Sequence, residues 1–303
     1  MSLLNNKKIV ITGGAGFIGT HLATELKKSN QITVLDHRVG PVPGVNYLTG
    51  DYHRLALQHI LKGQDIIFHL AWSTTPALKS TSRQEQDLNI LPTALLIKQV
   101  MTSSINHLVF VSSAGPVYGN APTPFRETDS PRPVNTYGDS KLQVEHMLRK
   151  IASNHLRITV FRPTNIIGSS QQLHHHQGII PALAQAHLNQ KPFYMWGNAS
   201  KDYIAVSDAV HALSSINHQS SFYDIFNLGS GTLVSTQQLI SLAQKALNSP
   251  LKIIHRPQPQ HDLAVVEVSI DKIIKQLHWR PQKHLLQEIK HVFKQTLRQT
   301  KNI

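Results

Sequence analysis

The stretch Lys7-Lys8-Ile9-Val10-Ile11-Thr12-Gly13-Gly14-Ala15-Gly16-Phe17-Ile18-Gly19 decides the fold. Its first half is a short β-branched run, which reads as a buried strand. Thr20 to Lys28 then has helical periodicity, and Gln31-Ile32-Thr33-Val34-Leu35-Asp36 is a second strand that ends in an acid. Strand, glycine turn, helix, strand and acid make one dinucleotide-binding unit. Gly13 permits the tight turn. Gly16 lets the backbone approach a pyrophosphate at the helix N-terminus, and Gly19 allows close helix–sheet packing. Asp36 lies 17 residues beyond Gly19, where a carboxylate accepts from both ribose hydroxyls and repels a 2′-phosphate, so NAD is favoured over NADP. The spacing is G-x-x-G-x-x-G, and Arg38 stands close by.

Working outward, further strands alternate with helices. Val45 to Asp51 is a strand whose terminal carboxylate can reach an adenine amine. Asp65 to Ala71 is a buried strand, and Arg83 to Met101 a long helix that Pro92 should interrupt or bend. His107 to Ser113 is a strand carrying hydroxyls at its carboxyl end, and Arg157 to Arg162 another strand. Strands separated by helices predict an α/β fold with a doubly wound parallel sheet. Residues 1–168, with 202–230 returning, form the dinucleotide-binding part. Residues 169–201 and 231–303 form a smaller lobe that closes over the carboxyl edge of the sheet.

Between the last two of those strands lies Tyr137-Gly138-Asp139-Ser140-Lys141. Residues four apart on a helix share a face. A tyrosine has a free pKa of about 10, and an ammonium one turn away favours its phenolate. The pair can therefore move a proton if a substrate hydroxyl or carbonyl sits beside it.

Composition limits the alternatives. The chain has 303 residues, 40% hydrophobic and 16% charged, as in a globular protein. It has no cysteine, hence no disulfide, thiolate metal site or cysteine nucleophile. The net charge of +13 is scattered rather than clustered, which fits attraction of an anionic small substrate better than nucleic acid. His174-His176 lacks the acidic neighbours and spacing of a metal site. No apolar run reaches the ~18 residues of a membrane span, and the N-terminus does not resemble a signal peptide, so a cytoplasmic protein is expected.

Taken in order, these motifs are similar to those of the extended short-chain dehydrogenase/reductase superfamily. The resemblance lies in its NAD-dependent nucleotide-sugar epimerase/dehydratase branch, in the pattern of UDP-glucose 4-epimerase-like proteins. The matching segments are Gly13-x-x-Gly16-x-x-Gly19, Gly50-Asp51, His69-Leu70-Ala71, Asn89, Ser112-Ser113…Val117-Tyr118-Gly119, Tyr137 with Lys141, and Arg162-x-x-Asn165-x-x-Gly168. Later come Lys201-Asp202-Tyr203-Ile204-Ala205-Val206, Asn227-Leu228-Gly229-Ser230-Gly231 and Leu277-His278-Trp279-Arg280-Pro281. The resemblance implies NAD held by the glycine turn, Phe17, Ile18, Asp36, Asp51, Tyr52, Leu70, Ala71, Trp72, Asn89, Ser112, Tyr137 and Lys141. It implies proton transfer by Tyr137, assisted by Lys141 and by Ser113 as hydroxyl donor. Ser113, Tyr137, Asn165, Lys201 and Arg256 would hold a nucleotide-activated hexose, epimerised at C4 through a 4-keto intermediate. Family members often form homodimers through the helices corresponding to Arg83–Met101 and Tyr137–Ile151, where Leu91, Leu95, Leu142 and Met147 are apolar.

The chain departs from the pattern in places. Ala114 falls where a third hydroxyl residue usually stands, and Lys201 where an arginine does. Gly115 and Pro116 replace the acid pair of the dehydratases, which argues against β-elimination. Trp72 takes the place of a small residue. Two alternatives to epimerisation are a nucleotide-ketosugar reductase using NAD(P)H and a binding protein that has lost turnover.

Overall fold

The computed structural model describes residues 4–169, 178–216, 221–257 and 263–300. The first half of the chain comprises β1 (Lys8–Thr12), α1 (Phe17–Leu26), β2 (Gln31–Asp36), β3 (Asn46–Thr49), α2 (Leu57–Ile60), β4 (Ile66–His69), α3 (Ser82–Glu85), α4 (Leu91–Met101) and β5 (His107–Val111). Then come α5 (Gly115–Tyr118), α6 (Thr136–Ile151), β6 (Arg157–Pro163), β7 (Asn165–Ile167), α7 (Ile179–Leu188), β8 (Phe193–Trp196), β9 (Ser200–Ala205) and α8 (Val206–Leu213). The last are β10 (Tyr223–Leu228), β11 (Leu233–Ser235), α9 (Thr236–Leu247), β12 (Ile253–Arg256), β13 (Val265–Val266), α10 (Asp271–Leu277) and α11 (Leu285–Thr300).

Seven strands form a parallel sheet in the order β10-β6-β5-β4-β1-β2-β3. The Val/Ile strands bury both faces, because helices cover both. Ile9 and Ile11 of β1 point into one apolar cluster, and Val10 between them into the other. The order reverses at β1, whose neighbours are β2 on one side and β4 on the other. That reversal opens a crevice at the carboxyl ends of the strands, the place where α/β sheets bind ligands. Thr12 pairs with both Leu35 and His69, so the ends of β1, β2 and β4 stand level on this edge.

A smaller sheet runs β11-β9-β13, with β7 also on β9, and β8 pairs with β12. An apolar cluster with Leu183, Leu239 and Phe293 joins α7, α9 and α11. The segment after β13 returns to the large sheet: Ile273, Leu277 and Trp279 are buried in its core, and the Trp279 indole donates to the Asp208 carbonyl at 3.1 Å.

Pro92 does not break the helix from Ser82 to Met101. A π turn over Gln86–Ile90 widens the backbone just before it, and the proline sits in the first turn of α4, where its missing N–H costs nothing. The wide turn also lets Asn89 reach back to the loop after β4. His174-His176 and residues 258–262 lie outside the described residues. Among the described residues, no helix is long and apolar enough to cross a membrane.

Candidate active site

The glycine turn is tight where the sequence requires it. Gly13 has φ +73°, and a Cβ there would lie 2.7 Å from the Ala71 nitrogen, so β1 and the Leu70-Ala71 segment touch backbone to backbone. A Cβ on Gly19 would lie 2.3 Å from the Gly13 carbonyl oxygen, which explains the close seating of α1. A Cβ on Gly16, by contrast, would meet only the Gly13 oxygen, at 3.2 Å. The N-terminus of α1 thus opens outward, beside a cavity of about 300 Å³ lined by Ala15, Gly16, Phe17, Thr20, Arg38 and Pro41 among others. Asp36 accepts from the Ala15 N–H at 2.9 Å with Oδ2 and is half-exposed. Open amides at a helix N-terminus, beside a carboxylate that ends β2, fit a dinucleotide's pyrophosphate and ribose. Arg38 leans on the same turn, donating to the Ala15 carbonyl at 3.1 Å.

Other residues expected around the dinucleotide divide into two groups. Phe17 and Ile18 open α1, and Leu70, Ala71 and Trp72 follow β4; all five are half-buried along the crevice. Asp51 is half-exposed and lies 3.3 Å from both His37 Nδ1 and Arg54 Nε. Tyr52 packs edge-on against His69, and burial pushes its phenol up to about 12. Asn89 and Ser112 are more deeply engaged. Asn89 accepts from the Ser73 N–H at 2.7 Å and donates to Thr74 Oγ1 and to Glu85. Ser112 donates its hydroxyl to Glu145 Oε1 at 2.5 Å and its N–H to the Phe161 carbonyl. Both side chains hold up the site from behind.

Helix α6 starts at Asn135, whose side chain accepts from the Gly138 N–H at 2.8 Å. A Cβ on Gly138 would lie 2.1 Å from the Pro116 oxygen, so α6 and the α5 turn meet at their backbones. This approach seats the first turn of α6 on the α5 turn that follows β5. Ala114 packs with Tyr118, Phe125 and Val266 in a buried cluster, while Ser113 is half-exposed. The alanine therefore faces the core, and Ser113 beside it keeps partial exposure.

Tyr137 meets Trp72 edge to face at 6.3 Å. Lys141 is 3% exposed, donates from Nζ to the Val111 carbonyl at 2.9 Å and rests 3.7 Å above the Trp72 ring. Burial draws its ammonium down to about 7, against the pull of Glu85 and Glu145. Tyr137 departs from the expectation that its neighbour lowers its pKa. Burial and the Glu85 carboxylate push the phenol above its ordinary value, while the lysine nitrogen is directed at a carbonyl and an indole face. Without bound charge nearby, Tyr137 is a neutral phenol, an acid rather than a base.

The sequence reading missed two buried carboxylates. Glu85 precedes Asn89 by four residues and Glu145 follows Lys141 by four, a helical spacing that carried the signal. Glu145 forms a two-point ion pair with Arg162, Nε to Oε1 at 3.1 Å and Nη2 to Oε2 at 2.5 Å.

The candidate substrate residues are spread more widely. Asn165 Nδ2 donates to the Asp202 carbonyl at 3.0 Å, tying β7 to β9, and Lys201 lies on β9. The Asp202 carboxylate takes Ser230 N–H, Ser230 Oγ and Gly231 N–H, which fixes the glycine loop after β10. Arg256 stands apart on β12, exposed, over the Tyr194 ring at 5.4 Å.

The pattern of the NAD dependent epimerase/dehydratase family matches residues 9–229. The chain belongs to that family. A dTDP-4-dehydro-6-deoxyglucose reductase of Escherichia coli is 30% identical over 294 residues, which cover 90% of this chain and 92% of the relative. A UDP-glucose 4-epimerase of Mycoplasma genitalium is 26% identical over 302 residues, with 88% and 89% covered. The solved structure of MoeE5 in complex with UDP-glucuronic acid and NAD superposes with a TM-score of 0.88 at 26% identity, covering 96% of this chain and 99% of MoeE5.

Proposed function

We propose that the protein is an NAD-dependent epimerase of a nucleotide-activated hexose, a UDP-sugar inverted at C4. One observation carries this proposal: Lys141 is tied to the end of β5 through the Val111 carbonyl and shares the Trp72 ring with Tyr137, on the same sheet edge as the open N-terminus of α1. Bound NAD supplies the hydride acceptor and donor and, when oxidised, a positive ring that favours the Tyr137 phenolate. Tyr137 takes the proton from the C4 hydroxyl and returns it once the 4-keto sugar has turned over. Lys141 steadies the phenolate by charge. Ser113 donates to the same sugar oxygen. Asn165, Lys201 and Arg256 meet the sugar and its diphosphate, and the lobe of 169–201 and 231–303, apart from the 273–279 segment that packs on the large sheet, holds the nucleotide. We place this chemistry in the cytoplasm.

Incubation with UDP-glucose, UDP-galactose and their N-acetyl forms, followed by separation of products, tests the reading. Interconversion of at least one pair without net NADH is expected, and failure with all of them overturns it. Ser113→Ala should lower kcat on the sugar turned over by about 100-fold, the loss typical of one oxyanion donor, with the dinucleotide retained. A wild-type rate would leave Ser113 without a role. The likeness to the Escherichia coli reductase favours a second reading, reduction of a 4-ketosugar. There the neutral Tyr137 phenol is already in the donating form, and net consumption of reduced cofactor would distinguish it.

We further propose a homodimer. Leu88, Leu91 and Leu95 are 49%, 48% and 49% exposed on successive turns of one helix face, beside α6 with half-buried Leu142 and Met147. Such a stripe fits a four-helix contact between two copies. The double variant Leu91→Arg/Leu95→Glu is expected to elute as a monomer in light scattering where the parent is a dimer. Identical masses would exclude this surface.

A further inference from the structure

Glu85 is a buried charge that the proton-transfer scheme leaves unused. It is 1% exposed at the end of α3. Its Oε1 accepts from Ser80 Oγ at 2.5 Å, and its Oε2 from Asn89 Nδ2 and Ser140 Oγ, both at 2.8 Å. Those donors come from three places: the loop after β4, the π turn and the turn of α6 between Tyr137 and Lys141. The Ser140 hydroxyl also lies 2.9 Å from the Tyr137 carbonyl, sharing its one hydrogen between the two oxygens, and Thr136 Oγ1 donates to the Ser80 carbonyl. The start of α6 is thus stitched to the loop through one carboxylate.

Charge balance singles out the same residue. Lys141 is faced by Tyr137 and Glu145 on its own helix, by Glu85 from α3 and by His69 from β4, and Arg162 lies behind Glu145. His69 is held neutral, its pKa lowered to about 3 by burial and by Lys141. Glu145 is answered by Arg162 through two hydrogen bonds. Glu85 receives hydroxyl and amide donors, so among the described residues the cation left for it is Lys141, on which its charge acts. Buried charges persist when they are paired.

We propose that Glu85 is a positioning residue for the Tyr137–Lys141 pair: its carboxylate locks the Tyr137–Ser140 turn against the loop after β4 and serves as the counter-charge of the buried Lys141 ammonium. Its catalytic consequence rests on the epimerase reading, but its electrostatic content does not. The test is Glu85→Gln, near-isosteric and neutral, in the full chain with lysine labelled at the ε-carbon. The Lys141 resonance is assigned by its loss in Lys141→Met. In Glu85→Gln its titration midpoint should fall by about one pH unit, since a buried ammonium without a counter-charge sheds its proton more readily. The pH profile of kcat should move to the acid side with it, KM changing less than about twofold. Glu85→Asp keeps the charge and should keep the midpoint within about half a unit of the parent. It also carries the test if the glutamine variant loses its circular dichroism, because a midpoint lowered by about one unit in Glu85→Asp overturns the proposal. An unmoved Lys141 midpoint in folded Glu85→Gln overturns it equally. A shifted midpoint in a protein that converts no nucleotide sugar upholds the role of Glu85 and overturns only the activity.

Discussion

Tyr137→Phe should abolish turnover, lowering kcat by about 1,000-fold or more while leaving the fold and the bound dinucleotide in place. Proton transfer by a positioned side chain contributes about 100- to 10,000-fold. Phenylalanine keeps the ring that meets Trp72 edge to face at 6.3 Å, so the loss isolates the hydroxyl. The hydroxyl is also where the neighbouring charges act. Glu85 opposes the phenolate, the Lys141 nitrogen stands 5.7 Å from the Tyr137 ring centre, and burial draws the lysine down to about 7. As pH rises through that value the ammonium gives up its proton and the phenolate loses its nearest positive charge. Below it the ammonium is intact, while the higher proton concentration reduces the phenolate fraction. Parent turnover should therefore follow a bell in pH, and Tyr137→Phe should show no bell because the titrating partner is gone. Steady-state rates of parent and variant across that range, with cofactor content measured on the same samples, check the expectation. A variant within about tenfold of the parent would remove Tyr137 from proton transfer.

Much of this centre was legible in the sequence. Gly13, Gly19 and Asp36 are dictated by backbone geometry and one hydrogen bond, which local spacing encodes, and β2 ends at Asp36 as its sequence indicates. Three kinds of feature were hidden. Pro92 argued for a break, but a π turn, which needs no special residue, absorbed it. The direction of the Tyr137 shift depends on what buries the phenol and on Glu85, which arrives from another helix. The Lys141 nitrogen is held by the Val111 carbonyl and the Trp72 face, neither of which helical spacing predicts. Spacing along a helix finds partners on that helix; it says nothing of what the rest of the fold brings against them.

The Glu145–Arg162 pair shows the same limit and gives the largest expected change in stability. The two side chains are 1% and 2% exposed and come from α6 and β6, 17 residues apart. Arg162 also lies flat over Tyr118, 4.6 Å from its ring centre, and Tyr118 in turn donates to Asn227 Oδ1 on β10 at 2.7 Å. Glu145 carries the Ser112 hydroxyl on the oxygen that it shares with Arg162 Nε. Arg162→Met fills most of the volume but leaves a carboxylate buried without its cation. Removing one partner of such a pair costs about 3–5 kcal/mol. For a chain of this length that lowers the unfolding midpoint by about 5–8 °C. Glu145→Gln in the same background neutralises the stranded charge, keeps an acceptor for Ser112, and should restore most of the loss. Calorimetry of the parent, the single variant and the double variant decides it. If the double variant is no more stable than Arg162→Met, the loss comes from packing around Tyr118 rather than from an unpaired anion. Recovery would mean that the pair contributes little net stability of its own. Its effect would then lie in specificity: it fixes the end of β5 to α6 in one register, so that Ser113 and Tyr137 are presented together.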